Sequence, residues 1–256
     1  MKFAFPLYKF VGLKLYKSLI MSSEYWYSIE RTFVWTGFSL FFQFIVGMAL
    51  ALLLNQKFVG RSLVRALFVL PWIIPSFIIV AVWKWMLNDI YGIVSYYLIK
   101  IGIVSEAVNF FGSTQLAMPT IVAMNVWHGF PLFMILLLAG LMSIPKQLYE
   151  AARIDGANRL MQFFHVTLPS LRGVILVSLL LRFIWTFTFF DIPYLSTRGG
   201  PADATMTLAV KTYIVGFREL YVSKAAAIAL TAVIVMTVIS MAVVRIFGWG
   251  GNEKEV

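Results

Sequence analysis

The side chains able to do chemistry in this apolar sequence are few, and their spacing is regular. Asn125, His128, Gly129 and Leu132 fall at i, i+3, i+4 and i+7 of one uncharged run, which places them on one helical face. Arg182 and Thr186 repeat the i, i+4 step in another run, and Pro71 and Pro75 bracket Trp72 beside Ser76. A different grouping stands at residues 149–158, "YEAARIDGAN", where Glu150, Arg153 and Asp155 surround Ala151 and Ala152 and Gly156 follows. None of these reads as a catalytic centre. Gly-x-Ser-x-Gly and His-Glu-x-x-His do not occur, and neither His128 nor His165 has a matched Ser or Cys nucleophile nearby. With no cysteine and two histidines, a metal site is poorly supplied as well. What remains is hydrogen bonding and charge placed inside apolar runs, which is costly unless those groups line a cavity or find partners.

The elements that must position them are membrane helices. The chain is 61% apolar and only 12% charged, with a mean hydropathy of +0.87. A soluble domain carries roughly 45–50% apolar and about 25% charged residues, so the solvent for most of this surface is lipid. The net charge of +10 comes from lysines and arginines scattered between apolar runs, which argues against nucleic acid. A hydrocarbon core about 30 Å thick needs roughly 20 apolar residues in a helix. About five stretches qualify, at 32–54, 66–87, 117–142, 173–195 and 225–246, giving an all-α integral membrane fold. Trp83 and Trp85 flank Lys84 as an interfacial anchor with a snorkelling lysine, and Asp191 reads as interfacial.

Orientation follows from basic residues in the connections. Lys57, Arg61 and Arg65 lie between the first two spans; Lys146, Arg153, Arg159 and Arg172 lie in the loop 143–172. Alternating spans put both on one side, which the positive-inside rule makes cytoplasmic together with the tail 248–256. The loops 88–116 and 197–221 then face outward, as does the segment 1–28. That segment's Lys2, Lys9, Lys14 and Lys17 oppose an outside position. Either a span upstream is absent, or the segment is a basic amphipathic helix on the membrane surface. Interrupting lysines and the lack of a small-residue cleavage pattern argue against a signal peptide.

The loop 143–172 predicts an elbow. Ser143 and Pro145 suit a helix start, Lys146 to Asp155 are good helix formers, and Gly156 is a natural stop. A second short helix is expected from about Asn158 to Val166, broken at Pro169. Leu148, Ala151 and Ala152 share a face whose small side chains admit close approach of another protein. The residues alone equally allow a solvated loop with a weak Glu150–Arg153 pair.

The order of residues at Glu150, Ala151, Ala152, Asp155, Gly156, Ala157, Leu168 and Pro169 resembles the EAA signature of ABC importer permeases. "FVGLKLYKSL" (10–19), "GMALALLLNQKFVGRSLVRALFVLPWIIPS" (47–76) and "STRGGPADATMTL" (196–208) are similar to stretches of the maltose-type carbohydrate permeases. The resemblance implies the core of a type I importer permease over 29–247, lacking the family's first span, with 1–28 as that span's external sequel. It implies that Glu150, Ala151, Ala152, Asp155 and Gly156 form a coupling helix docked on an ATPase subunit. The implied partners are a second homologous permease, two ATPase subunits and an external solute-binding protein, in a bacterial or archaeal plasma membrane. ATP and Mg would sit on the ATPase, since no Gly-x-x-x-x-Gly-Lys-Ser/Thr occurs here.

The resemblance also aligns Trp72, Ser76, Asn125, His128, Gly129, Leu132, Arg182 and Thr186 with that family's sugar path. Ser76, Asn125 and Gly129 keep the family's residue types. Trp72 and Leu132 stand in place of tyrosines, His128 of leucine, Arg182 of serine and Thr186 of asparagine, so maltose itself is not the expected cargo. Trp72 can stack on a sugar ring, and Asn125 and Thr186 can bond hydroxyls. Arg182 admits two readings: a pair with a neighbouring helix's carbonyls or the partner permease, or contact with an anionic sugar such as a uronate, aided by His128. His165 reads as a surface or ATPase-contact residue. The rival class, an ion-coupled secondary transporter or channel, needs mid-membrane carboxylates or an inverted repeat, and neither is found.

Overall fold

Proline placement and small residues decide how the apolar runs are cut and packed. A computed structural model describes residues 11–247, which form helices and turns with no strand among them. After a short helix α1 (Lys14–Ile20) comes α2 (Ser23–Asn55), 33 residues long. It starts nine positions before the expected span, because Ser23–Arg31 contains no proline or glycine to stop it. At 1.5 Å per residue it is about 50 Å long and overshoots a hydrocarbon core. The expected N-terminal segment 1–28 is therefore divided. Its first ten residues lie outside the described ones, Lys14 and Lys17 sit exposed on α1 with Leu19 buried beneath, and the rest belongs to α2.

The second expected span is broken. α3 (Arg61–Ile73) and α4 (Ser76–Met86) meet at a bend of 95°. Pro75 forces Ile74 into an extended conformation (ψ 127°) and offers no N–H to the carbonyl of Pro71, one turn back. α5 (Ile93–Lys100) fills part of the loop that follows, and α6 (Ala117–Ser143) crosses as a single 27-residue helix. The fourth apolar run, Arg172–Thr197, divides into α10 (Arg172–Phe187) and α11 (Asp191–Thr197), and α13 (Val222–Phe247) is the last helix among the described residues. Between α6 and α10 stand α7 (Lys146–Ile154), α8 (Arg159–Gln162), a π-helical turn (Phe163–Thr167) and α9 (Leu168–Ser170); between α11 and α13 stands α12 (Leu208–Tyr213).

α2 and α6 run side by side through the centre. Their backbones touch at Gly47, where a Cβ would lie 2.5 Å from the Phe133 Cβ and 3.0 Å from the Met134 nitrogen. Around this contact Met48, Ala51, Leu54, Leu137 and Leu141 pack with Leu171 from the start of α10. Outward-facing positions such as Phe38, Phe41, Ile73 and Val233 are apolar and exposed, as membrane helices require.

The bend yields a distance prediction that the cysteine-free sequence makes easy to test. Spin labels at Leu63→Cys and Trp85→Cys lie 22 residues apart, about 33 Å along a straight helix but about 22 Å across a right-angled bend. Pulsed EPR should report the shorter separation, and adding Pro75→Ala should lengthen it. An unchanged distance would show that Pro75 does not hold the bend.

Candidate functional site

One face of α2 carries Ser28, Thr32, Thr36, Ser39, Gln43 and Gly47, three or four residues apart and all buried. In an apolar helix such a stripe needs partners on its neighbours, and α6 and α10 supply them. The Arg182 Nε donates to the Gln43 Oε1 at 2.9 Å, and the Gln43 Nε2 donates to the Asn125 carbonyl at 2.8 Å. The Trp35 Nε1 donates at 2.9 Å to the Thr186 carbonyl, which near the end of α10 also accepts the Phe189 N–H at 3.2 Å. Arg182 is only 5% exposed, and Gln43, Asn125 and Thr186 are fully enclosed. Gly129 makes the space: a Cβ there would meet the Arg182 Nη2 at 2.1 Å and the Gln43 Nε2 at 2.4 Å.

The carbonyl that Arg182 meets on a neighbouring helix is the side-chain amide oxygen of Gln43 on α2, and no carboxylate among the described residues pairs with it. A bare arginine in mid-membrane costs from about 2.5 to more than 10 kcal/mol, depending on how water and lipid respond. A neutral dipole relieves part of that cost without introducing a second buried charge. Four atoms on the same helices, Thr36 Oγ1, Ser39 Oγ, Asn125 Nδ2 and Thr186 Oγ1, are buried without a protein partner.

The remaining expected path residues divide. The His128 Nδ1 lies 2.9 Å from the Pro71 carbonyl, the acceptor that Pro75 leaves without a helical N–H. A carbonyl only accepts, so Nδ1 carries the proton and Nε2 is left free. His128 is thereby tied to the α3–α4 break rather than to Arg182. Trp72 beside that break is 37% exposed, Ser76 is half-buried and Leu132 is buried. Lys84 does more than snorkel: its Nζ donates to the Leu195 carbonyl at 3.0 Å, joining α4 to the last turn of α11. Asp191 is exposed at the first turn of α11.

The elbow forms with two corrections. Pro145 is itself the residue before α7, while the Ser143 hydroxyl donates back to the Gly140 carbonyl and caps nothing. Gly156 adopts φ +81°, and the bonds Gly156 N–H to Arg153 O (3.0 Å) and Ala157 N–H to Ala152 O (2.8 Å) close the helix with a left-handed glycine. The Asn158 Oδ1 accepts from the Met161 N–H at 2.9 Å and starts α8. Pro169 does not break the chain into a loop. The register slips into a π turn and helix resumes at Leu168. The Tyr149 and Thr167 hydroxyls, 3.0 Å apart, tie α7 to that turn. Glu150, Ala151, Asp155 and Gly156 are exposed, Ala152 is half-buried, and no ion pair joins Glu150 to Arg153. Beside them Leu148, Ile154, Leu160 and Phe164 present apolar surface, Ile154 at 87% exposure.

Residues 43–249 match the family model described as a binding-protein-dependent transport system inner membrane component. The chain belongs to this family. Such components are the non-catalytic permeases of importers, and this permease is a multi-pass membrane protein. It is 38% identical over 208 residues to the trehalose/maltose transport system permease protein MalF of Thermococcus litoralis, covering 81% of this chain and 70% of that one. It is 32% identical over 241 residues to the sulfoquinovosyl glycerol transport system permease protein SmoG of Agrobacterium fabrum, covering 93% and 76%. Among solved structures it is similar to a bacterial ABC transporter involved in the import of the acidic polysaccharide alginate, with a TM-score of 0.83 and 26% identity over 93% of this chain and 84% of that one.

Gly129 allows a test of sign. In an open helix Gly→Ala stabilises by about 1 kcal/mol, and Gly37→Ala, with nothing within 4 Å of the new Cβ, should raise the thermal midpoint slightly. Gly129→Ala must instead displace Arg182 from Gln43 and should cost about 1.5–3 kcal/mol, the worth of a charge-assisted bond. Thermal unfolding of the detergent-solubilised permease compares the two; a gain at both positions would refute the packing.

Proposed function

We propose that this permease forms half of the path by which a sugar or oligosaccharide crosses a bacterial or archaeal plasma membrane, driven by ATP hydrolysed on two separate ATPase subunits. A second, homologous permease would complete the path, and an external solute-binding protein would deliver the cargo. The observation that carries the reading is the elbow, an exposed hydrogen-bonded unit between α6 and α10. Its apolar Leu148, Ile154 and Leu160 and small Ala151 suit docking in a protein cleft. The α2–α3 connection and the first residue of α3, with Lys57 and Arg61, and the elbow, with Lys146, Arg153 and Arg159, both carry the positive charge expected of cytoplasmic loops.

A sugar as cargo is supported by what the trehalose/maltose and alginate relatives import; the unpartnered Asn125 Nδ2 and Thr186 Oγ1, groups of the kind that bond hydroxyls, are enclosed and would meet cargo only when the helices part. Trp72, Ser76, His128 and Leu132 would complete this permease's side of the path. Arg182, held by Gln43, would act first as a pillar between α2 and α10, and an acidic cargo would engage it only by competing with that amide.

The test is uptake into vesicles by the reconstituted complex. Uptake should require ATP and the binding protein. Gly156→Trp, which puts a bulky residue at a left-handed position of the docking face, should leave the complex inserted and reduce uptake about tenfold or more while ATP is still hydrolysed. Normal uptake by Gly156→Trp would overturn the coupling assignment, and ion-driven uptake by this chain alone would overturn the whole reading.

A further inference from the structure

Between α2 and α6, on faces of the two helices other than those that hold the arginine seat, lies a groove of about 920 Å³. Val34, Phe38 and Phe42 from α2 and Val122, Val126 and Phe130 from α6 make its apolar walls. Its polar groups, Arg31, Thr114 and Gln115, all precede the apolar parts of the two helices and so gather at one end. None of the residues expected to line the sugar path is among its walls.

Arg31 is incompletely partnered. Its guanidinium lies 4.2 Å from the centre of the Tyr27 ring and donates to the Tyr27 hydroxyl, but its Nε is buried without a partner. No carboxylate among the described residues pairs with it, and no acid lines the groove. A cationic donor at one end of an apolar slot selects an anionic head on an apolar tail. The position along α2 agrees. Arg31 immediately precedes the uncharged run 32–54, which places it at headgroup level. From Arg31 to Val46 is 15 residues, about 22 Å, the depth of one leaflet with its headgroups. Beyond Val46 the helices close on each other at Gly47, where no Cβ fits.

We infer that this groove binds one anionic phospholipid, its phosphate on Arg31 and its acyl chain along Phe38, Phe42 and Val126. The inference stands on the groove alone and is independent of the cargo.

The test uses the permease in its co-expressed complex. Native mass spectrometry with phosphatidylglycerol and phosphatidylcholine at equal amounts should show retained phosphatidylglycerol in about fivefold excess, the value of one basic side chain at a membrane surface. Arg31→Gln should bring the ratio near one, and Val126→Trp, which fills the slot, should remove the retained lipid altogether. A photo-crosslinking benzoylphenylalanine in place of Phe42 should yield a lipid adduct. Equal retention of the two lipids by the unsubstituted complex, a ratio unaffected by Arg31→Gln, or a crosslink to a polypeptide would each overturn the proposal.

Discussion

A guanidinium held inside an apolar bundle by a neutral amide constrains the rest of this permease. Arg182 cannot be left bare in hydrocarbon, and the chain gives it a dipole from α2 rather than an acid. That choice fixes three helices at once. Gln43 must face α10 to receive the Arg182 Nε and face α6 to reach the Asn125 carbonyl. Gly129 must lack a side chain, because the two long side chains occupy the volume where its Cβ would stand. Trp35 repeats the tie one end further along, on the Thr186 carbonyl. In lipid, where burying apolar surface contributes little to helix association, close backbones and interhelical hydrogen bonds of this kind hold the bundle together.

The same seat lies where motion from the elbow would converge. α6 ends at Ser143, where the elbow begins, and α10 starts at Arg172, just after it. Gly129 is about 21 Å up one helix and Arg182 about 15 Å up the other, at 1.5 Å per residue. The elbow is held together by a left-handed glycine close, a side-chain cap at Asn158 and the Tyr149–Thr167 contact, the ties through which the proposed coupling would carry a push on α7. The α3–α4 break joins the same helix from the other side through the bond between His128 and Pro71. A carbonyl freed by one proline thus becomes the anchor for a residue of the central helix.

How much of this was legible depends on whether the determinant was local. The i, i+4 spacing of Asn125, Gly129 and Leu132 fixed a face on α6, and the structure turns that face inward. Gly156 announced its left-handed stop from sequence alone. Hydrophobicity is additive along a helix, so the spans are legible, and the ends of α6 and α13 fall within three residues of expectation; the start of α2 is not legible, since the helix runs on through polar but helix-compatible residues. Thr32, Thr36, Ser39 and Gln43 obey the same spacing rule, but a neutral polar stripe in an uncharged run does not by itself say which helix will supply its partners. The partner of Arg182 lies 139 positions away and needs the tertiary fold. Pro169 misled for a subtler reason: a proline forbids one hydrogen bond, and a π turn can absorb that loss without ending the helix.

The most direct measurement of the central constraint is a double-mutant cycle on the folded permease, with Arg182→Met, Gln43→Leu and the pair together. Each single change strands one buried polar partner, and the double change removes both. The double variant should therefore lose less stability than the sum of the singles, by about 1.5–3 kcal/mol. Strict additivity would show that Arg182 and Gln43 do not depend on each other and would contradict the account.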